Sequence, residues 1–186
     1  NQAITTDLLV AVPDIQSSAV QVDRDKNKTF YFSTRLTNLK ANEIKEVKTP
    51  QRIALYWDAS GSMGQTDRSA EISLIKQYCK RVENVTVDLV LFRNRMNKVR
   101  TFEVKSGKVS KLLTALREVS YDGGTQIGAL EPLESEPDLY VLCSDGLSNF
   151  GKETPKSFGA PVYCIGSNTS TNHAFLRFLS QRSGGD

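Results

Sequence analysis

The chain has 186 residues, 39% of them hydrophobic, which is enough for one domain with a sizeable core and some additional chain. Its formal net charge of +3 is too small to indicate a nucleic-acid partner, so none is expected. No run approaches the roughly 20 apolar residues of a membrane span, so we expect no direct membrane insertion.

The first 50 residues predict a short β-rich segment followed by a polar connector. An apolar run covers residues 8–12, and β-like stretches at residues 19–22 and 29–36 are separated by a polar turn, which is the pattern of a hairpin. Residues 38–50 are polar and charged and indicate a connector. We expect residues 1–50 to be either the end of an upstream β-rich domain or strands that pack on the edge of the next one.

Residues 51–186 predict an α/β domain with a doubly wound, mostly parallel sheet. The predicted strands are residues 52–58, 85–92, 99–105, 138–144 and 161–165, and the predicted helices are residues 67–82, 109–119, 125–133 and 172–181, with a further short helix allowed between the last two strands. The connection at residues 93–98 is too short for a crossover helix, so the third of these strands should be an antiparallel edge. On the last helix, Phe175, Phe178 and Leu179 are predicted to share one apolar face.

Three oxygen-bearing side chains follow the first strand of this domain. Asp58, Ser60 and Ser62 alternate along a tight loop at the carboxyl end of the strand, the edge where open α/β sheets bind ligands. Hard oxygen donors suit Mg²⁺ or Mn²⁺ better than Zn²⁺ or copper. Because only Asp58 is charged, this loop alone would bind a divalent ion weakly. Thr125, after two glycines, and Asp145, at the end of a later strand, are the candidates for further ligands.

Each of these features also has a structural interpretation when it is taken alone. Ser60 or Ser62 can be explained as a cap of the following helix, and Thr125 as the cap of another. Asp145, which precedes a glycine, can be explained as part of a turn. The three features together, each at a strand end or a helix start, favour a metal site.

The five residues, in this order, resemble the metal-ion-dependent adhesion site of von Willebrand factor A domains, and the resemblance covers roughly residue 51 to the C-terminus. In that family the loop after the first strand supplies an Asp and two Ser, matched by Asp58, Ser60 and Ser62. Two later loops supply a Thr and a second Asp, matched by Thr125 and Asp145. The resemblance implies an intact site in a Rossmann-like fold, with Mg²⁺ or Mn²⁺ bound and Ca²⁺ less suitable. Relative to the family, the chain stops where a final edge strand would begin.

The stretch around residues 54–58 has a narrower resemblance, to bacterial von Willebrand factor A proteins with an upstream VIT domain, which are similar to inter-alpha-trypsin inhibitor heavy chains. Together the resemblances imply a divalent-metal-dependent protein-interaction or adhesion module. Such a module would bind an Asp or Glu carboxylate of a protein partner through the metal. The resemblance to the family also favours an extracytoplasmic or cell-surface location.

An enzyme is the alternative function, and a structural module with an idle metal site is a third. An apolar strand that ends in an acid also opens haloacid dehalogenase-type phosphatases, in which Asp58 would be the nucleophile of a metal-dependent hydrolase. That pattern requires a second acid two residues later, where this chain has Ser60. The chain also lacks a GxxxxGK[ST] phosphate-binding loop. We therefore expect no catalytic residues and no enzyme.

The remaining notable residues have structural explanations. Cys79, Cys143 and Cys164 are expected to be buried thiols, with a bridge between Cys143 and Cys164 as the alternative. His173, the only histidine, is expected at a helix start on the surface. A run of cations makes one region basic, and with few aromatic residues for base stacking it predicts a solvated hairpin that protects a sheet edge. These cations are Arg93, Arg95, Lys98, Arg100, Lys105, Lys108 and Lys111.

Overall fold

The computed structural model describes residues 20–24, 26, 30–34, 48–149, 151–152, 154–167 and 169–185, and the chain divides into two compact units between Val47 and Lys48. In the first unit, strands β1 (Val20–Arg24) and β2 (Phe30–Thr34) pair antiparallel. This pairing is the hairpin that the sequence predicts. The predicted apolar run at residues 8–12 and most of the predicted connector lie outside the described residues.

The second unit is a five-stranded sheet with helices on both faces. Its strands are β3 (Arg52–Asp58), β4 (Val85–Phe92), β5 (Arg100–Val104), β6 (Leu139–Cys143) and β7 (Val162–Ile165), and its helices are α1 (Ser69–Val82), α2 (Ser110–Arg117) and α3 (His173–Ser183). The strand order is β5-β4-β3-β6-β7, and β5 pairs antiparallel with β4 while the other pairs are parallel. The predicted α/β fold with one antiparallel edge strand is confirmed.

Strand β3 lies at the centre of the sheet, and its side chains are buried on both faces. Leu55 and Trp57 pack with residues of α1 and α2 in one core, while Ala54 and Tyr56 pack with residues of α3 in the other. A parallel strand covered on both faces needs apolar residues at every position, which explains its near-continuous apolar sequence. The carboxyl end of β3 therefore lies at the middle of one edge of the sheet.

One acid is buried near the middle of β4. Asp88 accepts hydrogen bonds from Arg52 Nη1 at 2.8 Å, Thr101 Oγ1 at 2.7 Å and Ser135 Oγ at 2.7 Å, and it is 1% exposed. Burial opposes its ionisation, but the three hydrogen bonds and the Arg52 charge lower the pKa of the Asp88 carboxyl below its usual range. This acid thus ties β4 to the start of β3 and to β5.

The predicted helix at residues 125–133 is wrong. In its place the structure has a 3₁₀ turn at Ile127–Ala129, and Leu130 is already extended, with φ −68° and ψ 133°. Pro132 contributes to this early stop because a proline disfavours the helical conformation in the residue before it. Between β6 and β7 the described residues contain no helix either.

The predicted face of α3 is also partly wrong. Phe178 is 48% exposed, whereas Leu176 and Leu179 are buried and Phe175 is partly buried. Leu176 and Leu179 are three residues apart and so lie on one face of the helix, and Phe178 points away from it. His173 is the exposed first residue of α3, as predicted.

All three cysteines are free, with Cys79 and Cys143 buried and Cys164 partly buried. Cys143 and Cys164 lie on the neighbouring strands β6 and β7, but their side chains enter different cores on opposite faces of the sheet. This separation explains why they do not form the alternative bridge. Burial raises the pKa of the Cys143 thiol to about 12, which makes it unreactive. Within the described part of the chain, no helix has the length and apolar character that crossing a membrane requires.

Candidate metal centre

The loop after β3 buries two of its three candidate side chains. Asp58 is fully buried and Ser60 is 1% exposed, while Ser62 is exposed. A 3₁₀ turn covers Gly61–Gln65, and its N-cap residue Ser60 makes no capping hydrogen bond with its side chain. Helix α1 begins at Ser69, beyond both serines. Helix capping therefore explains neither serine side chain.

One chain of hydrogen bonds joins three of the five predicted residues. The hydroxyl oxygens of Ser60 and Ser62 are 3.2 Å apart, and Ser62 Oγ donates to Asp145 Oδ2 at 3.0 Å. Asp145 is 1% exposed, and its Oδ1 accepts from the backbone N–H of Leu147 at 3.0 Å. The loops after β3 and β6 thus bring oxygen side chains from two distant parts of the sequence together.

Asp58 is held in place through both carboxylate oxygens. Its Oδ1 accepts from the backbone N–H of Ser60 at 3.0 Å, and its Oδ2 accepts from Ser144 Oγ at 2.7 Å. Burial raises the pKa of the Asp58 carboxyl, the hydrogen bonds from Ser60 and Ser144 act in the opposite direction, and the charge on Asp145 raises it again. Two buried acids that repel each other in this way are stabilised by a nearby cation.

Thr125 is fixed through its backbone, while its hydroxyl is left without a partner. Its N–H donates to Asn149 Oδ1 at 3.0 Å, and its carbonyl accepts from the N–H of Asn149 at 2.9 Å. The residue is fully buried, and Oγ1 has no hydrogen-bond partner in the described structure. A buried hydroxyl without a partner costs about 1–3 kcal/mol. Packing alone therefore does not explain a Thr at this position.

Backbone hydrogen bonds hold the Thr125 loop against the loop after β3. Gly61 N–H donates to the carbonyl of Gly123 at 2.9 Å, and Asp122 N–H donates to the carbonyl of Ala59 at 3.1 Å. Because Thr125 lies two residues after Gly123, its position is coupled to that of the residues around Ser60. Three loops, after β3, before the 3₁₀ turn at Ile127–Ala129 and after β6, therefore meet at one edge of the sheet.

Tyr121, which precedes the Thr125 loop, contacts both β3 and the 3₁₀ turn that follows it. Its hydroxyl accepts a hydrogen bond from Trp57 Nε1 at 3.0 Å. A Cβ added to Gly64 would lie 2.7 Å from Tyr121 Cβ, closer than real carbon contacts. Gly64 therefore allows Tyr121 to pack directly against the 3₁₀ turn, and a larger residue there would push the two loops apart.

The sequence patterns did not predict three of the residues that support the site. Ser144, Asn149 and Tyr121 contact Asp58, Thr125 and the loop after β3, respectively. Ser144 is the residue before a predicted ligand, and Asn149 lies in the loop that follows it. Their polar side chains close to the motif were the signal that could have identified them. Nothing in the local pattern indicates Tyr121, since its contacts are made by residues more than 50 positions away in the chain.

The donor set consists of two carboxylates and three hydroxyls. The described residues contain no group of three His, Cys, Asp or Glu side chains that would hold a metal by themselves. Oxygen donors with two negative charges fit a hard divalent cation, and they do not fit Zn²⁺ or copper, which prefer nitrogen and sulfur. The Thr125 hydroxyl, which has no partner among the described residues, is an oxygen donor that a divalent cation or a water bound to it would satisfy.

No family model matches this chain, and no curated protein sequence matches it. Solved structures do match. BatB from Bacteroides thetaiotaomicron has a TM-score of 0.51 at 14% identity, over 73% of this chain and 87% of its own. An aerotolerance-related membrane protein from Bacteroides fragilis has a TM-score of 0.53 at 16% identity, over 73% and 89%. A von Willebrand factor type A protein from Catenulispora acidiphila has a TM-score of 0.50 at 15% identity, over 73% and 37%.

The second unit has the fold of von Willebrand factor type A domains. The TM-scores establish this likeness of fold, and at identities of 14–16% they show nothing about what the chain binds. In the type A sheet of this chain, the candidate residues lie at the carboxyl edge of β3 and β6, where the sequence predicts them. The predicted roles of Asp58, Ser60, Ser62, Thr125 and Asp145 as metal ligands remain predictions.

Proposed function

We propose that the second unit is a divalent-metal-dependent protein-interaction module. Asp58, Ser60, Ser62, Thr125 and Asp145 would hold Mg²⁺ or Mn²⁺, directly or through water, as an intact metal-ion-dependent adhesion site. When bound, the metal would supply a positive centre for a carboxylate oxygen of an Asp or Glu side chain on a protein partner. Ca²⁺ is less suitable because it takes more ligands at longer distances.

The observation that carries this proposal is the buried hydroxyl of Thr125, which has no partner among the described residues, in a loop bonded to the one that follows the buried Asp58. Each feature destabilises the chain when nothing else is bound, because the hydroxyl lacks a hydrogen bond and the two acids repel each other. A single cation would remove both costs at once.

The charge balance of the site favours an acidic partner. Asp58 and Asp145 together neutralise one divalent ion, and the three hydroxyls add no charge. An arriving carboxylate would therefore meet no net negative charge at the site. Magnesium prefers octahedral oxygen coordination, so five protein oxygens leave at least one place for water or for a partner.

The phosphatase alternative has less support. Asp58 is fully buried, and both of its carboxylate oxygens already accept hydrogen bonds, from Ser60 and Ser144. The position two residues later, where such phosphatases have a second acid, is Ser60. We therefore assign no catalytic role to this residue and propose no enzymatic activity.

The setting of the module is inferred from the fold alone. The Bacteroides fragilis protein with this fold is described as an aerotolerance-related membrane protein. By this likeness we propose an extracytoplasmic or cell-surface location for the present chain. The narrower resemblance to VIT-associated proteins, carried by residues 54–58, likewise stays a prediction.

Metal titration of an Asp58→Ala variant tests the proposal. Calorimetric titration with Mg²⁺ and Mn²⁺ should show binding to the wild type and none to the variant, with native circular dichroism in both. Asp67→Ala is the matched control, since Asp67 is an exposed acid of the same connection, and among the described residues its carboxylate bonds only Ser69. Equal loss of binding in both variants, or retained binding in Asp58→Ala, would contradict the assignment.

The partner's contribution needs a second test. Proteins captured in Mg²⁺ and released by EDTA would have their acidic residues changed one at a time to the corresponding amides. One such change should abolish the EDTA-sensitive part of binding. If every amide variant binds as before, the partner does not coordinate the metal.

A further inference from the structure

The cations that look like one basic region in the sequence are divided between two edges of the sheet. Strand β5 runs antiparallel to β4, so Arg100 pairs with Leu89 and Val104 pairs with Val85 at the start of β4. The connection before β5 therefore lies at the carboxyl edge, on the side of the candidate metal centre. The chain after β5, which carries Lys108 and Lys111, starts from the opposite edge.

The turn between β4 and β5 is firmly attached to its surroundings. Arg93 N–H donates to the carbonyl of Arg95 at 3.1 Å, and Asn97 N–H donates to the carbonyl of Leu91 at 2.8 Å, which closes the turn. Met96 forms an isolated antiparallel bridge with Phe92. The position of Arg95 at the tip of the turn is thus defined by the backbone.

The same turn is bonded to the loop that carries Thr125. The carbonyl of Arg93 accepts from the N–H of Gln126, the residue after Thr125, at 2.8 Å. The Arg93 side chain forms an ion pair with Asp122 and donates to the carbonyl of Ser120. The turn and the metal centre therefore belong to one connected set of loops.

Arg95 and Lys98 are the cations of this turn that the protein itself does not use. Both are exposed, and neither side chain has an ion pair or hydrogen bond to any described residue. Lys108 and Lys111 likewise have no ion pair to a described residue, but they lie at the opposite edge, so position is what distinguishes Arg95 and Lys98. Two cations without partners among the described residues, on a turn bonded to the Thr125 loop, are complementary to further acids on a partner that binds at this edge.

We propose that Arg95 and Lys98 form a second contact for the partner, and that the partner presents a cluster of acids in which one coordinates the metal and a neighbour pairs with this turn. The inference rests on the proposed function, since it assumes a carboxylate at the metal. It adds the chemistry of the partner: an acidic segment and not a lone Asp or Glu. Because the turn is already ordered, pairing with it costs little conformational freedom beyond that of Arg95 and Lys98.

Two synthetic peptides serve as probes, one with a single Asp among Gly and Ser residues and the other with Glu on both sides of that Asp. Their affinities are measured calorimetrically in Mg²⁺ and in EDTA. The proteins are the wild type, Arg95→Glu/Lys98→Glu and Asp58→Ala. The matched control is Lys108→Glu/Lys111→Glu, which makes the same change in net charge at the opposite edge of the sheet.

We expect the Glu-flanked peptide to bind the wild type more tightly than the single-Asp peptide in Mg²⁺. Arg95→Glu/Lys98→Glu should weaken the Glu-flanked peptide about tenfold, equivalent to about 1.4 kcal/mol, with little change for the single-Asp peptide. The control pair should leave both affinities nearly unchanged. Added salt should reduce the preference for the Glu-flanked peptide, because the contact is exposed.

The outcomes separate the two proposals. If the two charge-reversal variants lose affinity equally, or neither does, the turn makes no specific contact and the inference is overturned. If Arg95→Glu/Lys98→Glu matters equally in EDTA, the turn binds acids independently of the metal, which also overturns it. If the single-Asp peptide binds Asp58→Ala as it binds the wild type, the metal proposal itself fails, and binding of neither peptide to the wild type would overturn both.

Discussion

Replacing Thr125 with Val should make the metal-free protein more stable and should reduce the further stabilisation that a bound metal provides. The two side chains have nearly the same shape, so the change removes the hydroxyl and leaves the packing in place. Thr125 Oγ1 is buried with no described partner, and burying such a hydroxyl costs about 1–3 kcal/mol. The Thr125→Val protein without metal should therefore gain about 1–2 kcal/mol in its free energy of unfolding.

The response to metal should change in the opposite direction. At about 100-fold above Kd, a bound ion stabilises the wild type by about 2.7 kcal/mol, which corresponds to a rise in Tm of roughly 5–10 °C for a chain of this size. If the loss of one neutral ligand weakens binding tenfold, the same concentration stabilises Thr125→Val by about 1.4 kcal/mol. The charged ligands Asp58 and Asp145 remain, so some metal binding survives.

Chemical denaturation in EDTA and in Mg²⁺ measures both effects on the same samples. Thr171→Val is a matched control, because Thr171 Oγ1 is also buried without a described partner and is not a candidate ligand. It should gain stability in EDTA and keep the full response to Mg²⁺. A Thr125→Val protein that is destabilised in EDTA and responds normally to Mg²⁺ would refute the reasoning, since the hydroxyl would then have a structural hydrogen bond and no role in metal binding.

Two further substitutions test the structural basis of the site and of the sheet. Gly64→Ala places a Cβ 2.7 Å from Tyr121 Cβ, so it should lower the free energy of unfolding by about 1–3 kcal/mol and weaken Mg²⁺ binding by moving the loops apart. Denaturation and Mg²⁺ titration measure the two effects, and an unchanged Mg²⁺ affinity would mean that Tyr121 does not position the site. Asp88→Asn should lower the free energy of unfolding at neutral pH by about 2–3 kcal/mol, because Asp88 loses hydrogen bonds made to a charge. The pKa of Asp88 is lowered in the folded state, so its contribution to stability is present above the unfolded pKa of about 3.9 and is lost as pH falls through the folded value. The wild type should therefore lose stability over that acid range more steeply than Asp88→Asn. Identical profiles of unfolding free energy against pH would refute this role.

Much of the fold was predictable because the sheet is buried on both faces. A central parallel strand has apolar residues at each position, and the bounds predicted for β3 and β4 are those of the structure. The short connection before β5 predicted its antiparallel direction for a steric reason that does not depend on the rest of the fold. The placement of Asp58 and Asp145 at one edge then follows from the parallel pairing of β3 and β6.

The errors arose where tertiary contacts decide. The Thr125 segment has apolar residues at helical spacing, yet it forms a single 3₁₀ turn, in which Gly128 lies against the backbone of Lys152, 24 residues further along the chain. Phe178 is as hydrophobic as its neighbours, but only the position of α3 on the sheet decides which of them is covered. The role of Tyr121 depends on long-range contacts in the same way, and local patterns contain no information on it.

The two proposals are linked by the charge of the complex that they describe. Asp58 and Asp145 balance a divalent cation, so a coordinating carboxylate from the partner would give the assembled site a net charge of about −1. The burial of Asp58, Thr125 and Asp145 makes such a charge costly unless cations lie nearby. Arg68 does not supply one, because it stacks on Trp57 and pairs with Glu71. Arg95 and Lys98 are exposed at the same edge and have no ion pair to a described residue, so in the proposed complex they would offset the excess charge and favour a partner whose acids reach both places.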